Sequence, residues 1–210
     1  MESMLAAMNK KIVPLQEYFL QGSVLDASRD ILLHRLRGIC DNIGGIEKFQ
    51  DHEMVYTIGT NANNVLQLRA RRALDDPEAP WLLRYVGEPD FGDRSKHTLV
   101  RSSIDVGTSD NLVQFLTEMG FRLDHEFVVS GHFFRKGRMK ITVSKIYRLL
   151  QPGDTDKVEA LSKSYLVELG VVTVSGQDQV QEEMKNFAEH LKPLVHLEKT
   201  DLRKLQQMGT

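Results

Sequence analysis

The chain has 210 residues, 41% of them hydrophobic and 27% charged, with a formal net charge of −2. That balance suits a globular protein with a real core and argues against wholesale disorder. It also lacks the bulk basic excess that direct binding of duplex DNA would draw on. The single cysteine, Cys40, cannot form an internal disulfide, which fits a reducing compartment, and no apolar run reaches the ~18 residues of a membrane span.

Residues 1–14 read as a flexible lead-in, 15–199 as a single domain, and 200–210 as a tail. Glu17–Gly22 can form a strand. Asp26 then sits where an N-cap would, ahead of Leu32, Leu36, Ile39 and Ile43 at helical spacing, with Gly44-Gly45 as the stop. Four strands follow: one around Met54–Ile58, then Val65–Arg72, Trp81–Val86 and His97–Val106. In the second of these, Leu66, Leu68 and Ala70 alternate with Gln67, Arg69 and Arg71. Turn chemistry at Asn61–Asn64, Asp75-Asp76-Pro77 and Gly87–Asp93 separates them.

A second helix opens at Thr108 or Ser109, with Leu112, Val113, Phe115, Leu116 and Met119 as its stripe and Gly120 as its end. A long hairpin follows, Phe121–Arg135 and Arg138–Leu150, around a tight Lys136-Gly137 turn with glycine at its second position. Met139, Ile141 and Val143 share one face of the second arm; Lys140, Thr142 and Ser144 share the other. Beyond the polar loop Gln151–Lys157, Lys163–Val174 is apolar on both faces, as expected of a covered strand. Asp178 can cap a third helix carrying Val180, Met184, Phe187 and Leu191, stopped by Pro193 and followed by a short extended piece, Leu194–Leu197. The pattern predicts an α+β fold: an antiparallel closed β-barrel of about eight strands with two or three packed helices, closure removing the exposed edges.

Few residues suggest chemistry. Asp-His-Glu occurs twice, at Asp51-His52-Glu53 and Asp124-His125-Glu126, each expected to open a strand, with the carboxylates on one face and the histidine on the other. With Glu168, and with Arg69 and Arg71, these residues allow a barrel with an acidic metal-binding floor and basic walls, acting on a polyphosphate. The opposing reading makes the carboxylates solvated strand ends and pairs Glu168 with a neighbouring arginine. His125 and His132 fall on no metal-ligand spacing, and Cys40, near an apolar stripe, reads as a packed thiol. Arg69, Arg71 and Arg72, and Arg135, Lys136, Arg138 and Lys140 beside Phe133-Phe134, could contact RNA, although one of the two phenylalanines should face the core. Lys145 is the one charge on an otherwise apolar strand face, free to snorkel, line a tunnel or meet a partner.

Specific runs resemble a known family: EYFLQGSVLD (17–26), HRLRGICDN (34–42), DHEMV (51–55), LRARR (68–72), APWLLRYVGEP (79–89), the stretch 99–141, YLVELGVV (165–172) and KNFAEHLKPLVHLEK (185–199). Together they resemble the family of the eighteenth subunit of Mediator, from about Glu17 to Lys199. The resemblance implies a β-barrel of about eight strands in the Mediator head module, working in the nucleus in transcription regulation as a coactivator component. It implies a heterodimer with the twentieth subunit, a tether to the C-terminal helix of the eighth subunit, and contact with other head-module subunits and the RNA polymerase II machinery. It also implies similarity to tunnel-shaped RNA triphosphatases, which hold metal on a Glu-x-Glu-x-Lys strand and a second Glu-rich strand. Here the first strand reads Glu17-Tyr18-Phe19-Leu20, and Glu168 has Leu166 and Gly170 at the same-face positions, so the acidic floor is expected to be missing. The expectation is a non-enzymatic scaffold with no catalytic, cofactor-binding or metal residues, with an RNA-triphosphatase-like or RNA-binding barrel as the alternative.

Overall fold

The computed structural model describes residues 15–41, 44–59, 65–89, 97–174 and 178–200. The lead-in before residue 15, the Asn61–Asn64 turn, Ile43, most of the tail and part of the Gly87–Asp93 loop lie outside them. The strands are β1 (Leu15–Leu25), β2 (Glu47–Ile58), β3 (Leu66–Ala73), β4 (Trp81–Val86), β5 (Leu99–Thr108), β6 (Arg122–Lys136), β7 (Met139–Leu149), β8 (Val158–Ala160) and β9 (Ser164–Val174). The helices are α1 (Arg29–Ile39), α2 (Leu112–Glu118) and α3 (Asp178–Glu189). Hydrogen bonding runs β6-β2-β3-β4-β5-β1-β9-β7 and returns from β7 to β6, closing an antiparallel barrel. The short β8 pairs with the far end of β7, outside the ring.

Alternation along the strands puts apolar residues outside and charged residues inside. On the outer face, Tyr18, Leu20, Ile141, Val143, Val167 and Leu169 pack beneath α1 and α3, whose Leu32, Leu36, Met184 and Leu191 are fully buried. A smaller outer cluster, Met54, Tyr56, Ala70 and Phe121, lies under Leu112 and Leu116 of α2. The larger core therefore wraps the barrel, and the lumen holds mostly polar side chains, with Phe19, Val55 and Leu99 packed among them.

Local chemistry moved several expected boundaries. Asp26 does not cap α1: its carboxylate accepts hydrogen bonds from Lys145 Nζ at 2.6 Å, a 3-10 turn occupies Asp26–Ser28, and the helix starts at Arg29. The same helix ends at Ile39, short of Gly44-Gly45, because Asp41 is drawn to the hairpin turn, where it accepts from Lys136 Nζ and from the Gly137 N–H, both at 2.8 Å. That turn is Gly137-Arg138, with Lys136 paired to Met139. Glycine takes the first central position at φ +55°, as in a type II′ turn, and not the second.

α2 starts at Leu112 because β5 keeps pairing with β4 as far as Thr108. It ends in a Schellman motif: the Phe121 N–H bonds Leu116 O and the Gly120 N–H bonds Thr117 O, with Gly120 at φ +91° and Phe121 packed in the same cluster as Leu116. α3 has Asp178 as its first helical residue, where it was expected as the cap before the helix. The piece expected to extend over Leu194–Leu197 instead leads to a single bridge, Gln21 with Glu198.

Candidate functional site

Of the residues singled out for chemistry, the lumen gathers Asp51, Glu53, Arg69, Arg71, Lys140 and Glu168. Glu53 pairs across the sheet with Arg71, Val55 with Arg69, Arg69 with Arg84, Arg84 with Asp105, and Glu17 with Arg101, so all face inward. Glu168 and Thr142 are partners on the opposite wall, beside the partners Lys140 and Gly170. Asp51 and Glu53 are thus neither strand ends nor solvated: they sit in the middle of β2 and point into the barrel. The positions expected to lack acid, Phe19 beside Glu17 and Leu166 and Gly170 beside Glu168, carry none, so Glu17 and Glu168 stand apart from any second acid on their own strands' inner faces.

Almost every one of them already has a partner. Glu17 accepts from Arg101 at 2.7 Å and faces Arg84 at 3.7 Å; Arg84 donates to Asp105 at 2.7 Å; Arg71 lies 3.6 Å from Asp51. Glu168 accepts from Gln21 at 2.8 Å and from Thr142 at 3.5 Å, not from an arginine as expected. Among the described residues no group of three or more acidic, histidine or cysteine side chains could hold a metal ion. The lumen is an ion-pair lattice with carboxylates spread around the wall, whereas a divalent cation needs several converging on one point.

Crowding leaves its mark on the charges. Burial pushes the carboxyls of Glu53 and Asp51 above their ordinary range, against the pull of Arg71 on both and Arg69 on Glu53. Enclosure lowers the Lys140 ammonium, and Arg71 and Arg84 lower it further. Arg69 is lowered by burial, and its Nε is buried without a hydrogen-bond partner. Phe133 faces Lys140 and Arg135 with its ring, at 5.4 and 5.5 Å, while Phe134 is fully buried in the outer core, so one phenylalanine of the pair goes each way.

The two Asp-His-Glu strings meet. β2 and β6 are antiparallel neighbours, and outward-facing His52 lies 2.8 Å from Glu126. Glu126 also accepts the Gly153 N–H at 2.7 Å, pinning the loop after β7. His125 stacks on Phe127 and bonds Asp124. Neither string is a ligand set. The repeat itself was the available signal, since antiparallel pairing can bring identical strings together.

The basic turn is largely occupied as well: Lys136 holds Asp41 and Arg138 holds Glu183, while Arg72 lies over the Trp81 ring. Burial raises the Cys40 thiol to about 11, as befits a packed sulfur. An open apolar patch lies elsewhere. On the outer face of β4–β5, Ile104 (57% exposed) and Val106 (48%) pair with Tyr85 and Leu83, and α2 turns Phe115 and Met119 outward. No sequence signal marks the β4–β5 patch, because an alternating strand does not reveal whether its apolar face is covered.

Fold and lumen together define a class, the closed antiparallel barrel with charged residues inside. A protein from Hippeastrum, described as having a dominant triphosphatase activity, has the same fold, with a TM-score of 0.58 at 12% identity over 92% of this chain and 96% of that one. A chain of the Schizosaccharomyces pombe Mediator head module superposes with a TM-score of 0.69 at 14% identity, over 88% and 98%. In sequence, the Med18 protein family model matches residues 16–207, beyond both ends of the stretch that carried the resemblance. The protein named Mediator of RNA polymerase II transcription subunit 18 from Danio rerio is 58% identical over 193 residues, 92% of each chain. This chain belongs to the Med18 family.

Proposed function

We propose that the chain is a non-enzymatic, nuclear subunit of the Mediator head module, acting in transcription by RNA polymerase II as a rigid scaffold. Residues 15–199 form its one folded unit. The observation that carries this reading is where the free surface lies: most lumen carboxylates already have hydrogen-bond or ion-pair partners, while the outer face offers Ile104, Val106, Phe115 and Met119 to a partner. On this reading the barrel forms a heterodimer with the twentieth subunit and receives the C-terminal helix of the eighth along an apolar groove. Other head-module subunits, and through them the polymerase machinery, assemble on that pair without direct contact to DNA.

The test is recovery of Mediator subunits and polymerase from nuclear extract on the tagged chain. Ile104→Glu with Phe115→Glu is expected to reduce recovery at least about tenfold while leaving the circular dichroism unchanged. Undiminished recovery would remove both patches from the interface. The alternative, a triphosphatase-like barrel, draws on the shared fold and on the unbonded Arg69 Nε. Metal-dependent release of γ-phosphate by the purified chain, lost on Glu168→Ala, would favour it.

A further inference from the structure

A second concave surface lies away from both the lumen and the β4–β5 patch. α1 presents Asp30, Leu33, His34 and Arg37 along one face, and the barrel wall opposite supplies Ile46, Lys48 and His132; between them is a groove of about 500 Å³. The helical residues follow i, i+3, i+4, i+7 spacing, so they form one stripe. Lys48 and His132 are direct cross-strand partners on β2 and β6. The groove is therefore framed by a helix and a closed sheet and needs no loop movement to exist.

Its chemistry is one-sided. Arg37, Lys48 and His34 are exposed along it, against the carboxylate of Asp30 alone, which is 3.2 Å from Arg29. Leu33 is buried and Ile46 half-buried, giving an apolar strip between the charges. His132 Nδ1 is buried without a hydrogen-bond partner, and so is Nε of Arg29 close by. The two enclosed nitrogens lie behind the lining, and the exposed positive charge of Arg37 and Lys48 in front of them is what an incoming carboxylate would answer. Burial, Arg29 and Lys48 all press the His132 imidazole toward its neutral form, and only Asp30 opposes them. The volume suits one or two side chains of an extended segment rather than a folded domain.

We propose that this groove seats a carboxylate-bearing apolar segment of a partner protein. One acidic side chain is directed to His132, Lys48 and Arg37, and an adjacent apolar side chain lies on Leu33 and Ile46. The inference rests on the groove itself and does not depend on the Mediator assembly proposed above. A carboxylate reverses the balance around His132, since its charge favours the imidazolium.

The test uses the full chain and a synthetic hexapeptide of alternating Glu and Leu, followed by two-dimensional NMR. A Gln–Leu hexapeptide and inorganic phosphate serve as separate arms. The Glu–Leu peptide is expected to shift His34, Lys48 and His132 saturably and to raise the apparent pKa of His132, with affinity falling about tenfold or more in Arg37→Glu/Lys48→Glu. Arg37→Ala/Lys48→Ala gives the same reading with a milder change, should charge reversal disturb the fold. Equal binding of the Gln–Leu peptide would overturn the proposal, as would unchanged binding by the charge variants or shifts confined to β4–β5. Phosphate moving His132 as far as the peptide does would also overturn it, leaving a small-anion site.

Discussion

Lys145 breaks the apolar rule of its strand face because Asp26 is waiting at the end of β1, where it accepts from Nζ at 2.6 Å while the Tyr165 ring lies 4.9 Å away. The lysine is 7% exposed, but the Asp26 side chain is 46% exposed and can rehydrate when released. Lys145→Met is accordingly expected to cost about 2 kcal/mol in urea denaturation, below the full cost of breaking a buried pair. Asp41 carries a pH signature. Its bond from Lys136, with that from the Gly137 N–H, holds its carboxyl below the ordinary 3.8. An acid depressed by folding contributes stability that is present above its unfolded pKa and is lost as pH falls through the folded one. Between about pH 5 and about pH 2 the melting temperature should therefore drop further for the native chain than for Asp41→Asn. Parallel curves would remove Asp41 from the acid response. Neither partnership was legible in sequence: a lone charge on a strand says that it needs a partner, and nothing local says which.

At the scale of elements, strand identity could be read well and ends poorly. β4 was predicted to the residue, whereas α1 shifted where Lys145 drew Asp26 away from its cap, α2 where β5 ran on to Thr108, and the hairpin turn by one residue. Two glycines mark where elements approach too closely for any side chain. A Cβ at Gly131 would strike the Val143 carbonyl oxygen and Ser144 across β6–β7; one at Gly22 would strike the His196 carbonyl oxygen of the segment after α3. Gly22→Ala should push that segment off β1 and break the paired bonds between Gln21 and Glu198, at 3.1 and 2.9 Å. Hydrogen exchange at these two amides should then accelerate while β6–β7 stays protected. Unaltered exchange at Glu198 would mean that the C-terminal segment is held by Val195 and Leu197 in the outer core instead.

For the whole molecule, closure followed from strand count and the need to hide edges, but the inversion of the barrel did not. Alternation divides β3 into Leu66-Leu68-Ala70 and Gln67-Arg69-Arg71, and either set could have faced the lumen. The helices decide it, since α1 and α3 need an apolar wall outside and leave the charged faces to meet one another within. Glu17 joins Arg101 and Arg84 in that interior, with the Glu17 and Arg101 side chains only 12% and 16% exposed. Removing the carboxylate leaves Arg101 enclosed without its counter-charge, while Arg84 keeps Asp105. Glu17→Gln should cost about 3 kcal/mol, and Glu17→Leu with Arg101→Leu less than that, because two matched apolar groups spare the desolvation of a lone cation. Denaturant titration of the single and double variants measures both. If the double variant proved the less stable, the lumen would be held open by its charges rather than merely tolerating them, and the lattice would be a structural requirement of the barrel.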